Sequence, residues 1–113
     1  MITASDLTEG KPTLVLLTRG LHLTLKAHDF TGTSGYWTTD PDHVRACTRV
    51  VFYFAPPWST VAYPIVANLV DAHDEGGKTV IEFADWRIKG TTDADWPRFT
   101  NTSPGNRNPV HYM

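Results

Sequence analysis

Between Gly35 and Ala72 the sequence reads GYWTTDPDHVRACTRVVFYFAPPWSTVAYPIVANLVDA. An aromatic pair follows the first glycine, and two apolar runs lie further on, separated by a Pro-Pro turn. The first run, Arg49–Phe54, consists mostly of β-branched and aromatic residues, which favour strands. Pro56 and Pro57 end it because proline cannot donate a hydrogen bond to a ladder. The stretch therefore predicts two adjacent core strands behind an exposed aromatic corner.

Further strands are predicted on both sides of this stretch. Residues 13–18 are apolar without alternation, which is typical of a strand buried on both faces. In residues 21–28 leucines alternate with polar side chains, which indicates another strand. Residues 74–77 predict a hairpin turn because their glycines allow positive backbone angles, and Lys78–Ile88 is the returning strand. Val110–Tyr112 predicts a final edge strand.

The polar segments between these strands predict a loop and a short helix. Residues 29–35 contain two glycines, two threonines and a serine, which is loop composition. Thr39 or Asp40 can cap a helix whose first position is Pro41, where the missing N–H of proline costs nothing. We expect this helix to end near Ala46.

The element pattern predicts a mainly β (α+β) fold. A chain of 113 residues forms one domain with a single core. Within it we expect a loose lead-in over residues 1–12 and a loop-rich C-terminal segment over residues 90–113. Long crossover helices are absent, so five or six strands with one or two short helices favour a small closed or half-closed β-barrel.

Composition excludes several classes of function. The formal net charge of −2 argues against a broad phosphate-binding surface, although residues 96–113 carry Arg98, Arg107 and His111 and no acidic residue. Cys47 is the single cysteine, which rules out an intrachain disulfide and a thiolate zinc cluster. We see no signal peptide and no apolar run near the roughly 20 residues of a membrane span. We expect a cytoplasmic protein without membrane contact, metal or cofactor.

The order of motifs resembles the PUA-like superfamily, most nearly the EVE domains, which are relatives of the YTH and ASCH domains. Residues 13–18 look like the opening strand and residues 35–37 look like a Gly-x-Trp element. Arg49–Phe54 resembles the barrel strand, residues 65–70 its partner, and residues 107–110 an Asn-Pro-x-x-Tyr-like ending. Cys47 and Thr48 stand where a Gly-Asp turn is expected, and the Gly-x-Lys-x-x-Glu signature of ASCH domains is not visible. The resemblance implies recognition of modified bases or RNA in an aromatic-walled pocket.

A base-binding pocket needs flat apolar walls for stacking. Tyr36 and Trp37 follow the glycine-rich segment, and Trp37 is the wall that we favour. The alternative is that Trp37 plugs one end of the barrel, because tryptophan is mostly buried in proteins. Phe54 and Trp58 flank the Pro-Pro turn and are candidates for the opposite wall, with ordinary core packing as the alternative.

Polar side chains near these walls complete the predicted site. Thr18 and Arg19 end the first strand, where an arginine can pair with a phosphate or stack on a base, with a solvated charge at the strand end as the alternative. Asn68 lies in an apolar strand and must be solvated or hydrogen-bonded, for instance to the edge of a base. Arg107 and Asn108 form a basic, polar tail that can reach a phosphate, with a flexible terminus as the alternative. No catalytic residue is assigned.

Three functions remain open from the sequence. The first is a small non-enzymatic module that binds a nucleotide or a modified base in DNA or RNA. The second is a protein-binding inhibitor or accessory protein, favoured by the abundance of Trp and Tyr, which act as interface anchors. The third is an ASCH-like hydrolase of RNA or nucleotides, which would depend on His43 or Arg19.

Overall fold

The β-rich runs of the sequence form seven strands in the computed structural model, which describes residues 7–18, 20, 22–54, 63–89 and 110–113. The helix α1 covers Pro41–Arg45. The strands within the described residues are β1 (Thr13–Leu17), β2 (Leu23–Lys26), β3 (Thr31–Trp37), β4 (Arg49–Phe54), β5 (Tyr63–Glu75), β6 (Lys78–Ile88) and β7 (Val110–Tyr112). The prediction of a mainly β fold is confirmed, with seven strands where five or six were expected.

The strands form one mixed sheet in the order β2-β3-β6-β5-β4-β1-β7. The β1–β4 pair is parallel, and the other five pairs are antiparallel. β2 and β7 are the two ends of this order, and β7 is an edge strand as predicted. In the described ranges no helix is long and apolar enough to cross a membrane.

A first core lies on one face of the sheet, and residues from both ends of the strand order pack against it. Leu23 and Leu25 reach it from β2, and Val110 reaches it from β7. Because strands at opposite ends of a seven-stranded order contact one cluster, the sheet is strongly curled. The buried members of the first core include Leu14, Leu16, Val44, Val50, Phe52, Phe54, Ile65, Ala67, Ile81 and Phe83.

A second core covers the opposite face of the central strands. Val15, Val51, Tyr53 and Val66 are buried there together with Leu7, which precedes β1. The two cores explain why β1 and β4 are apolar without alternation, since both of their faces exclude water. Within the predicted loose lead-in Leu7 is buried and residues 9–12 are exposed, while residues 1–6 lie outside the described part.

The prediction of a loop over residues 29–35 is wrong, because β3 occupies Thr31–Trp37. Gly32 lies in this strand where an added Cβ would meet the carbonyl oxygen of Thr24 and the ring of Phe83 at 2.6 Å. A glycine in a strand can mark such a close approach as readily as it marks a turn. Small residues in β3 therefore reflect tight packing against β2 and β6.

Other element boundaries agree closely with the sequence. Asp40 caps α1 through a 3.0 Å hydrogen bond that its Oδ1 accepts from the backbone N–H of Asp42, and Pro41 begins the helix. β6 covers the predicted Lys78–Ile88, and the preceding turn is reduced to Gly76 and Gly77 because β5 continues to Glu75. Local capping and turn chemistry therefore determine these boundaries.

Candidate functional site

The described residues of the connection that follows β1 contact both the end of β4 and the strand β3. Gly20 has a φ of +86°, and an added Cβ would stand 3.4 Å from the Phe54 ring. The carbonyl of Gly20 accepts a hydrogen bond from the N–H of Leu23, and the carbonyl of His22 accepts one from the N–H of Gly35. This connection therefore links the end of β4 with β3.

Two ring pairs form what we call the aromatic end, which consists of His22, Tyr36, Phe54 and Tyr63. The rings of Phe54 and Tyr63 stack with centroids 4.8 Å apart and planes only 7° from parallel. The rings of His22 and Tyr36 meet edge to face at 5.1 Å. Tyr36 is 50% exposed, so a large part of its surface is accessible to a ligand. Phe54 is buried, whereas Tyr63 is half-buried.

Thr18 lies at the base of the aromatic end. Its backbone N–H donates to the carbonyl of Tyr53, and its side-chain hydroxyl accepts a 2.9 Å hydrogen bond from the N–H of Gly20. Thr18 is buried, so its visible role is to shape the connection between β1 and β2. The structure thus brings Thr18 and Phe54 close together and links them to Tyr36 through this connection.

Trp37 points to the opposite side of β3 from Tyr36. Its half-buried ring packs against the first core, and its Nε1 donates a 2.9 Å hydrogen bond to the Oγ of Ser34. It lines neither of the two grooves described below. This position combines core packing with partial exposure, and a role for Trp37 as a pocket wall stays a prediction.

Asn68 lies away from the aromatic end, in a groove of about 460 Å³ beside the start of β4. Its Nδ2 donates a 3.1 Å hydrogen bond to the carboxylate of Asp85. The amide is exposed and hydrogen-bonded, as the sequence required of a polar residue in this strand. Arg19, Trp58, Arg107 and Asn108 lie outside the described residues, so their assignments stay predictions.

A second groove, of about 450 Å³, lies between α1 and β7. His43 stacks on Tyr112 with ring centroids 3.6 Å apart, and His111 lines the same groove. The sequence pointed to His43 but not to His111 or Tyr112. These two residues lie far away in the chain, and the pairing of β7 with β1 places them beside α1. Within the described ranges no group of three or more His, Cys, Asp or Glu side chains is arranged to hold a metal.

Burial shifts the ionisation of several groups around this second groove. It lowers the pKa of His111, and it raises the pKa of the Cys47 thiol. Burial also raises the pKa of Tyr112, with further contributions from the negative charges of Cys47 and Asp40, while a hydrogen bond with Thr39 acts in the opposite direction. These shifts favour the neutral forms, which can still exchange hydrogen bonds with a polar ligand.

No family model, no curated protein and no solved structure matches this chain.

Proposed function

We propose that this chain is a small non-enzymatic binding module that recognises a nucleotide or a base, including modified bases, in DNA or RNA. The ligand stacks on the aromatic end, with the exposed ring of Tyr36 as the contact surface. The single observation that supports this proposal most is the contact of a half-exposed Tyr36 with His22, which the connection after β1 links to Phe54, stacked on Tyr63. The resemblance of the motif order to EVE domains agrees with such a role.

The exposed ring of Tyr36 is suited to stacking on a base. Stacking of a base on an aromatic side chain contributes about 1–3 kcal/mol and tolerates every base. The edge-to-face contact with His22 restricts the orientation of the Tyr36 ring, half of whose residue surface stays exposed. A ring held in this way loses little conformational freedom when a base stacks on it.

Selectivity among bases requires polar groups that the described part of the aromatic end does not supply alone. The imidazole of His22 is exposed next to the Tyr36 ring and can donate or accept a hydrogen bond at the edge of a stacked base. Arg19 and Trp58 are adjacent in sequence to Thr18 and to the Pro-Pro turn, and they are the proposed partners for phosphate and for a second stacking face.

The test is a binding screen with short DNA and RNA oligonucleotides that carry modified or unmodified bases, followed by fluorescence anisotropy. We expect Tyr36→Ala to weaken binding by roughly 5- to 100-fold, because one stacking contact is lost. Tyr36→Phe should retain most of the affinity, because the ring remains. Trp37→Ala is a poor probe here, since its ring also packs against the first core.

Tyr112→Ala is the matched control, because Tyr112 is also an exposed tyrosine in contact with a histidine ring. It should leave the affinity unchanged within twofold. An unchanged affinity of a folded Tyr36→Ala variant for every oligonucleotide would refute the aromatic end as the binding surface. A protein partner or a hydrolytic activity would then be the remaining alternatives.

A further inference from the structure

Charged side chains surround the groove that contains Asn68, on the face of the sheet that carries the second core. We call it the polar groove. It has a volume of about 460 Å³, within the usual range for sites that bind small molecules. Its polar lining consists of Glu9, Lys11, Arg49, Asn68, Asp85 and Arg87.

Arg49 is the buried part of this lining, with only 3% of its surface exposed. Its Nη1 donates to the carbonyl of Leu7 at 2.7 Å, and its Nη2 donates to the carboxylate of Glu9 at 3.2 Å. Its buried Nε has no partner among the described residues. The ion pair with Arg49 therefore compensates the negative charge of Glu9 in the polar groove.

A β-bulge shapes the opposite wall. The register between β5 and β6 shifts between Val66 and Asn68, and Asp85 on the facing strand adopts a φ of +55°. Aspartate is one of the few non-glycine residues that adopt this conformation. The amide of Asn68 donates a hydrogen bond to its carboxylate. Bulges of this kind redirect side chains and are frequent beside binding sites.

The charge balance of the polar groove is positive. Its three cationic and two anionic side chains leave one net positive charge. Glu9 is paired with Arg49, and Asp85 accepts a hydrogen bond from Asn68. Within the described part of the chain, no hydrogen bond or ion pair holds the side chains of Lys11 and Arg87. Two cationic donors from different elements are thus available to one anion.

We infer that the polar groove binds a phosphodiester group, with Lys11 and Arg87 on its two non-bridging oxygens. A phosphodiester carries a single negative charge, which matches the net charge of the groove, and its tetrahedral oxygens suit donors that approach from different directions. The amide of Asn68 and the carboxylate of Asp85 offer acceptors for the amino group of an attached base. The ligand is a cyclic nucleotide or one link of a nucleic-acid backbone.

This site is separate from the aromatic end. Arg49 begins β4 and Phe54 ends it, so the two lie about 16 Å apart along the strand at roughly 3.3 Å per residue. They also belong to opposite faces of the sheet, because side chains alternate along β4 and Arg49 is five residues from Phe54. The inference therefore does not depend on the proposed function, and either can fail alone.

The experiment measures binding of a 3′,5′-cyclic mononucleotide and of a short single-stranded oligonucleotide to the whole chain. Nuclear magnetic resonance shifts of the Asn68 and Asp85 backbone amides locate the binding. Lys11→Gln and Arg87→Gln should each weaken binding by about 5- to 20-fold and should lower the slope of the oligonucleotide salt dependence by about 0.7. Lys26→Gln, which removes an exposed charge from β2, is the matched control and should change nothing.

Asp85→Asn is expected to bind more tightly, a result that misfolding cannot produce. Asparagine tolerates positive φ, keeps an oxygen acceptor for Asn68, and raises the net charge of the groove by one unit. We expect it to tighten binding by about three- to tenfold, as measured from the backbone amide shift of Asn68. If one of the two probes binds more tightly, that preference shows whether the phosphodiester belongs to a cyclic nucleotide or to a nucleic-acid backbone. The inference would be overturned if neither probe binds, or if free glutamate binds as tightly as the two probes. It would also be overturned if Lys11→Gln and Lys26→Gln change the affinity equally.

Discussion

The guanidinium of Arg49 donates a 2.7 Å hydrogen bond from Nη1 to the backbone carbonyl of Leu7. This contact ties the segment before β1 to the start of β4 and closes the second core over Val51 and Val66. A charged residue at the start of an otherwise apolar strand requires such a partner, because an unpaired buried charge is costly. Arg49 therefore links the fold to the polar groove that it lines.

Replacement of Arg49 should destabilise the protein strongly. Arg49→Met leaves the carbonyl of Leu7 and the carboxylate of Glu9 without their donor, and we expect a loss of about 3 kcal/mol in the free energy of unfolding. Urea denaturation followed by circular dichroism measures this change. Arg87→Met, at an exposed position of β6, should stay within about 0.5 kcal/mol of wild type. Equal losses in the free energy of unfolding of Arg49→Met and Arg87→Met would contradict the claim that the burial of Arg49 makes it important for stability.

Gly32 should not tolerate a side chain. The Cβ of Gly32→Ala would collide with the Thr24 carbonyl and with the Phe83 ring, so β2 or β6 must move. We expect a loss of about 1–3 kcal/mol, measured as a lower midpoint of urea unfolding. Gly35→Ala in the same strand places its Cβ 3.3 Å from a methyl group of Val80 and should cost less. The reverse order of the two losses would show that the close approach does not limit this position.

The hydrogen bond between Trp37 and Ser34 can be isolated with a double-mutant cycle. Trp37→Phe removes the donor and leaves the buried hydroxyl of Ser34 without it, at a cost of about 1–2 kcal/mol. Ser34→Ala added to Trp37→Phe should restore part of this loss, because no unsatisfied polar atom then remains. Strictly additive losses would mean that the contact contributes nothing to stability.

The depressed pKa of His111 predicts a loss of stability in mild acid. Burial lowers this pKa below 6.5 in the folded chain, so the unfolded chain takes up the proton first. The contribution of His111 is complete above pH 6.5 and falls as the pH drops through the depressed value. Thermal unfolding between pH 7.5 and pH 5 should show this decline, and His111→Gln should reduce it. Asp29, whose pKa is lowered from 3.8 mainly by a hydrogen bond from Thr31, acts at lower pH.

The elements predicted correctly from the sequence are those that depend on interactions between residues close together in the chain. The capping of α1 by Asp40, the turn at Gly76 and the whole of β6 depend on neighbours in the chain, and their positions were predicted well. β3 was missed because its glycines, threonines and serine have loop composition. The reason for those small residues is the proximity of Thr24 and Phe83, which are distant in sequence and adjacent only in the folded sheet.

The candidate sites likewise depend partly on the local sequence and partly on contacts between distant residues. The sequence alone determined a mainly β fold, a strand over residues 13–18 buried on both faces, two adjacent core strands within residues 49–72, and the aromatic residues available for stacking. Only the tertiary structure decided that Tyr36 faces outward beside His22 while Trp37 packs on the first core. It also brought Lys11 and Arg87 to the groove of Arg49, since strand pairing can join residues that are far apart in the chain. Side-chain alternation is a local property, whereas register and bulges arise from the partner strand.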